Sequence, residues 1–373
     1  MPSSISNSKS RNDKNRYNHC YYTEDFNRDI PKHHWLKLIL LTLSVFAILL
    51  TGWEGYWRSQ GVQADYINSN SLWAIERRKV SKESVIFTGS SRMLFNLQTD
   101  IWHQQTGIKP IQLALEGTTP LSVLEDLADD DNFQGTVFVG VAPGLFFSGF
   151  EYRAKALKTY RQEAPSQWLG QQLAMLIEPH LSFLAPDFAL FTIMKRQPWP
   201  EREGISNNLD VRKLMVMAED RNTQMWDKVV KDEEYRKLAI KIWMQGFQPI
   251  AELPAEKQEK ALENRNKQIE RAVTVNKKMQ AKGATLIFVR MPSQGFYTME
   301  EGMYNPKADT WDVLLRKTGA PGIHFQDYPD LSKYTLPENS HLAAQDARSF
   351  TKDFVRIYQN LISKTEFSTM SAP

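Results

Sequence analysis

The chain has 373 residues, of which 42% are apolar and 24% charged. That suffices for one large core or two modest ones and excludes global disorder. A formal net charge of +3, with no basic stripe interleaved with aromatics, gives no warrant for a nucleic-acid partner. The single cysteine, Cys20, excludes an intrachain disulfide and a cysteine-built zinc site.

Residues 1–33 are polar and rich in Ser, Asn, Asp and Lys, and are expected to form a disordered cytoplasmic tail. Residues 34–54 form an expected transmembrane signal anchor. No charge stands between Leu38 and Trp53, and Trp35, Trp53, Tyr56 and Trp57 flank the run as interfacial anchors would. No Ala-x-Ala cleavage site follows it. Lys9, Arg11, Lys14, Arg16, Arg28, Lys32 and Lys37 precede the run, whereas Arg58 is the next positive residue until Arg77. The positive-inside rule places the N-terminus in the cytoplasm and the main domain outside, periplasmic in a Gram-negative bacterium.

A juxtamembrane connector, residues 55–82, contains the helical "SLWAIERRKV". The main domain is expected over 83–362. Five strand-length apolar runs punctuate it: Val85–Thr88, Ile111–Leu115, Thr136–Val141, Ala284–Arg290 and Ile323–Phe325. Helical spacing fills Leu94–Gln105, Pro120–Leu127, Glu256–Lys282, Asn305–Leu315 and Ala343–Leu361. This alternation predicts an α/β fold, a parallel sheet with helices on both faces. The stretch 150–282 is too long for one crossover and reads as an insertion of mostly helices, including "LDVRKLMVMAEDRNTQMWDKVV". Within it, the apolar "LAPDFALFTIMKRQPWP" reads as core, with a membrane or partner contact as the alternative. Residues 363–373 read as a disordered tail.

Sites in open parallel sheets form outside the carboxyl ends of the strands. Gly89-Ser90-Ser91-Arg92, Glu116-Gly117, Gly140 with Ala142, and Arg290-Met291-Pro292-Ser293 follow the first four strands. Asp327, then Glu338 and His341 in "LPENSHLAAQ", follow the fifth. Acyl transfer through serine needs this set: a hydroxyl, an imidazole to take its proton, an acid to hold the imidazole, and N–H donors for the oxyanion. Ser91 is the candidate nucleophile, His341 the base and Glu338 the orienting acid, with Asp327 as a rival. Gly117, Arg290 and Ser90 are candidate oxyanion or substrate-binding residues.

The blocks Gly89-Ser90-Ser91, Gly117 and Glu338-x-x-His341 resemble those of the SGNH (GDSL-type) hydrolases, over about residues 83–362. The resemblance implies a flavodoxin-like three-layer parallel sheet with a helical insertion. It is nearest to membrane-anchored members that work on cell-envelope polymers, such as alginate O-acetylation and teichoic-acid D-alanyl transfer proteins. It implies acyl-ester chemistry on an envelope or secreted polysaccharide, often beside a multi-spanning membrane acyltransferase or export complex. Two positions depart from the pattern. Ala142 stands where the third block has its oxyanion-donating Asn, and Glu338 replaces Asp. A missing donor can cost on the order of 10²–10³ in rate. The alternative is therefore a catalytically degenerate subunit that binds glycan or docks onto such a complex.

Each residue also has a plainer structural role open to it: Ser91 as a helix cap, His341 as a helix-start residue, Gly117 as a turn and Arg290 as an ion pair. Asp129–Asp131 reads as a solvated acidic turn, and His324 as structural. With no zincin, Walker or dinucleotide motif in the sequence, no metal or cofactor is expected.

Overall fold

The computed structural model describes residues 34–197, 209, 212–245 and 254–370. The expectations for residues 1–33 and for parts of the insertion lie outside the described residues. The chain divides into two units, Met1–Trp53 and Glu54–Pro373. The apolar run forms α1 (Trp35–Ser59), none of whose residues is buried. At 1.5 Å per residue its 25 residues reach about 37 Å, longer than the ~30 Å of a bilayer core. It is long and apolar enough to cross a membrane.

The second unit opens with α2 (Asn70–Arg78), capped by the Ser69 hydroxyl, which accepts from the Leu72 N–H at 2.9 Å. Then come β1 (Val85–Thr88), α3 (Ser91–Asn96), α4 (Thr99–Thr106), β2 (Ile111–Gln112), α5 (Leu121–Ala128), β3 (Thr136–Gly140) and α6 (Pro143–Ser148). The insertion carries α7 (Lys155–Gln162), α8 (Pro165–Ile177), α9 (Leu190–Lys195), β4 (Met215–Met217), β5 (Thr223–Met225), α10 (Asp227–Lys231) and α11 (Glu233–Met244). The domain closes with α12 (Ala255–Ala281), β6 (Thr285–Arg290), α13 (Gly295–Tyr304), α14 (Trp311–Thr318), β7 (Gly322–His324), α15 (Pro329–Ser332) and α16 (Ala344–Met370).

All five expected strands are present. They form one parallel sheet in the order β2-β1-β3-β6-β7. The chain runs outward from β1 to β2, then returns to β1's other side with β3, which creates a switch point between β1 and β3. Helices cover both faces, so the strands read as nearly continuous apolar runs. Phe87, Phe138, Ile287 and Ile323 pack on one face with Trp102 of α4 and Phe354 of α16. Ile86, Val137 and Leu286 pack on the other with Leu124, Val275 and Leu314 of α5, α12 and α14. Burying each such side chain contributes about 1.5–3 kcal/mol.

Several stretches differ from expectation, and over Asn305–Leu315 a 3₁₀ turn at Lys307–Asp309 precedes α14. The helix expected over Leu94–Gln105 is broken into α3 and α4. Gln98 is extended there, because its buried amide donates to Phe95 O at 2.8 Å and Thr223 O at 2.7 Å, while its N–H donates to Thr351 Oγ1 at 3.0 Å. The stretch around "MVMAEDRNTQM", expected to be helical, is the antiparallel hairpin β4–β5. Its turn holds Arg221 at φ 61, a left-handed backbone costing roughly 1–2 kcal/mol in a non-glycine residue. The buried Arg221 guanidinium offsets that by donating to Ala114 O at 2.7 Å, Asn68 Oδ1 at 2.8 Å and Gln112 O at 3.2 Å. The closing helix continues to Met370 rather than ending at Leu361.

Candidate active site

The β1–α3 turn exists because two glycines face each other. A Cβ on Gly89 would lie 2.8 Å from Met93 Cβ and 3.0 Å from Gly140 Cα. No larger residue fits between the ends of β1 and β3 at that approach. The turn leaves Ser90 at the N-cap of α3, buried, with its hydroxyl making no capping bond. Ser91 is the first helical residue and does not cap the helix. From Ile86 to Thr99 every residue is buried except Ser91, which is half-buried. The turn therefore presents one hydroxyl toward the surface.

The loop before α16 closes over the same helix at three points. Arg92 Nε donates to Ser340 Oγ at 3.2 Å, and the Leu342 N–H donates to Asn96 Oδ1 at 3.0 Å. Between them the His341 ring lies on Phe95, 4.3 Å between centroids. Ser91 and Phe95 are four residues apart in α3, hence on one face. The imidazole thus packs on the residue one helical turn from Ser91 in α3. No hydrogen bond joins the two among the described residues.

Glu338 reaches His341 because Asn339 takes a left-handed turn at φ 71. Its carbonyl accepts from the Gln294 N–H at 3.0 Å. Glu338 Oε1 accepts from the His341 backbone N–H and pairs with His341 Nδ1, both at 2.7 Å. With the carboxylate ionised, Nδ1 carries the proton and Nε2 is left as the basic nitrogen. Nε2 is buried and has no hydrogen-bond partner among the described residues. Asp327 is exposed and lies 3.9 Å from Lys307, so Glu338 and not the rival acid holds the imidazole.

Trp243 of α11 is the residue that sequence reasoning missed. Its Nε1–H donates to Glu338 Oε2 at 2.8 Å, and its ring stands 6.5 Å from that of His341. Nothing local marks it. It comes from the insertion, 95 positions away in sequence, and only long-range packing brings it here.

The other expected residues are spread around this centre. The Leu115 N–H donates to Gly89 O at 2.9 Å, so Gly117 lies two residues beyond the level of the serine turn. Gly117 has φ +60, and its carbonyl accepts from the Tyr152 N–H at 3.3 Å. Ala142 is the N-cap of α6 and offers no side-chain donor. Arg290 is buried and already committed to protein partners. Its guanidinium donates to Ser293 Oγ at 3.0 Å, to Glu301 and to Met291 O. Arg92 Nη1 donates to the other oxygen of Glu301 at 2.6 Å. Two guanidiniums therefore share one buried carboxylate beside the serine. Burial opposes ionisation of Glu301, but Arg290, Arg92 and the Ser293 hydroxyl outweigh it and hold the carboxyl below its usual range. Burial brings Arg290 down to about 10. Burial and the Glu301 charge push neighbouring Glu300 up to about 7.

Asp129 and Asp130 pair with Lys278 and Arg77, both on protein partners. Among the described residues no group of three His, Cys, Asp or Glu side chains is placed to hold a metal. No family model matches the chain, and no curated protein matches it.

Proposed function

We propose that the protein is a single-pass, membrane-anchored SGNH-like acyl esterase or O-acyltransferase. In this reading the sheet is a flavodoxin-like three-layer core, held outside a bacterial inner membrane, and the substrate is an envelope or secreted polysaccharide. One observation carries it: the buried His341 keeps Nδ1 on Glu338 and Nε2 unpartnered among the described residues, and its ring packs on Phe95, one turn along α3 from the half-exposed Ser91. The Ser91 hydroxyl attacks the acyl carbonyl as Nε2 takes its proton. The proton then passes to the departing alcohol, and water or a sugar hydroxyl collects the acyl group. The Ser91 and Gly117 N–H groups are the oxyanion donors in this scheme. Arg290 is held by Ser293 and Glu301, and Ser90 is the buried N-cap of α3.

A second reading is favoured by Ala142 and by the lack of a Ser91–His341 hydrogen bond. There the domain is a degenerate SGNH-like subunit that binds glycan or docks onto a membrane acyltransferase or export complex. A fluorophosphonate probe on the detergent-solubilised full chain separates the two. The enzyme reading expects labelling that disappears in Ser91→Ala and His341→Ala. Folded protein that takes no label favours the second reading.

A further inference from the structure

The Glu54–Pro373 unit carries an apolar surface that the proposed chemistry does not use. On α8, Leu169, Leu173, Leu176 and Ile177 recur at i, i+4, i+7 and i+8, which makes one stripe. All four are exposed, Leu176 to 70%. Leu190 and Phe191 open α9 and are exposed as well, Phe191 to 82%. The "LAPDFALFTIMK" run is thus core only in part: Phe188 is buried, and the two residues that open α9 turn outward. The thirteen residues of α8, "PSQWLGQQLAMLI", include no charged side chain. A helix face that meets water ordinarily carries charges.

Both patches are tied to the turns of α1 that directly follow the apolar run. The Ser182 and Phe183 N–H groups donate to the Glu54 carboxylate at 2.9 and 3.0 Å. Arg58 Nη2 donates to His180 O at 2.9 Å, one short 3₁₀ turn beyond Ile177. The Phe188 ring lies 4.5 Å from that of Trp57, two residues before Leu190. Glu54 follows Trp53, the last residue of the uncharged run. Whatever is hydrogen-bonded to Glu54 and Arg58 therefore sits where the chain leaves that run.

We infer that the exposed face of α8 and the start of α9 rest in the lipid surface, so that the domain lies against the bilayer its anchor crosses. The occupant is the boundary between headgroups and acyl chains. An uncharged apolar face continuous with a membrane span suits that layer, whose interior excludes charge. The inference rests on reading α1 as a membrane span.

The test places a nitroxide label at single cysteines in the full chain, with Cys20→Ser, in phosphatidylethanolamine–phosphatidylglycerol vesicles. The positions are Phe191→Cys, Leu176→Cys, Val45→Cys in α1 and Leu262→Cys on α12, where Leu262 is also exposed. Collisions with oxygen, which partitions into lipid, are compared with those of a water-soluble nickel chelate. Labels at 191 and 176 should favour oxygen severalfold over the label at 262, at a depth of roughly 5–10 Å. The inference is overturned if both behave like position 262, or are shielded from both reagents as a protein partner would shield them, while position 45 reports lipid. A water-like position 45 overturns the membrane span itself, and this inference with it.

Discussion

Glu338 is fully buried, and its two oxygens are held by different elements: Oε1 by His341 and Oε2 by the Trp243 indole at 2.8 Å. A carboxylate out of water keeps its position only while its lone pairs are satisfied. Trp243→Phe retains the ring but deletes the donor. Losing a hydrogen bond to a charged group costs about 1.5–3 kcal/mol, so probe labelling at Ser91 should slow on the order of tenfold or more. A labelling rate equal to the wild type would show that the indole does not position the acid.

At the scale of elements, Glu301 joins α13 to α3 through Arg92 and to the end of β6 through Arg290. Arg92 also reaches Ser340 in the loop that carries Glu338 and His341. The backing of the candidate site thus depends on one carboxylate that balances two buried cations. Glu301→Gln keeps the shape and removes the charge, which leaves both guanidiniums uncompensated. Breaking a buried pair this way costs about 3–5 kcal/mol. Urea unfolding of wild type and variant measures it. A loss under about 1 kcal/mol would mean that water reaches the cluster and the charges are not buried in solution.

At the scale of the whole molecule, two groups near this cluster pull stability in opposite directions with pH. His324 accepts from the Gln326 N–H through Nδ1 at 3.2 Å and packs on Trp311 and Phe325. Burial, with the charges of Arg290 and Lys307, brings it down from 6.5 to about 3. The folded state therefore resists its protonation, and its contribution is lost as pH falls from about 6.5 toward 3. Glu300 is raised from 4.5 to about 7, so its contribution is full below pH 4.5 and lost as pH rises through about 7. The two oppose each other between pH 4.5 and 6.5. In thermal melts across that window, His324→Gln should expose a midpoint that falls with rising pH, and Glu300→Gln one that rises. Identical slopes in the two variants would refute the assignment.

The sequence by itself determined the strands, their alternation with helices and the apolar anchor run. A strand buried on both faces must be apolar along its length, and a span must be uncharged, so both signals are local. It also showed the Glu338-x-x-His341 pair, because a three-residue separation closes within one loop. The break at Gln98 and the hairpin at Arg221 were not legible. Each is held by bonds to residues more than 100 positions away, which override the local helical preference. Only the tertiary structure decided that Arg290 pairs with Glu301, and that Trp243 leaves the insertion to hold the acid. The reason is the same for both: the partner of a buried polar group is chosen by packing between distant elements, and residue type and local spacing carry no record of it.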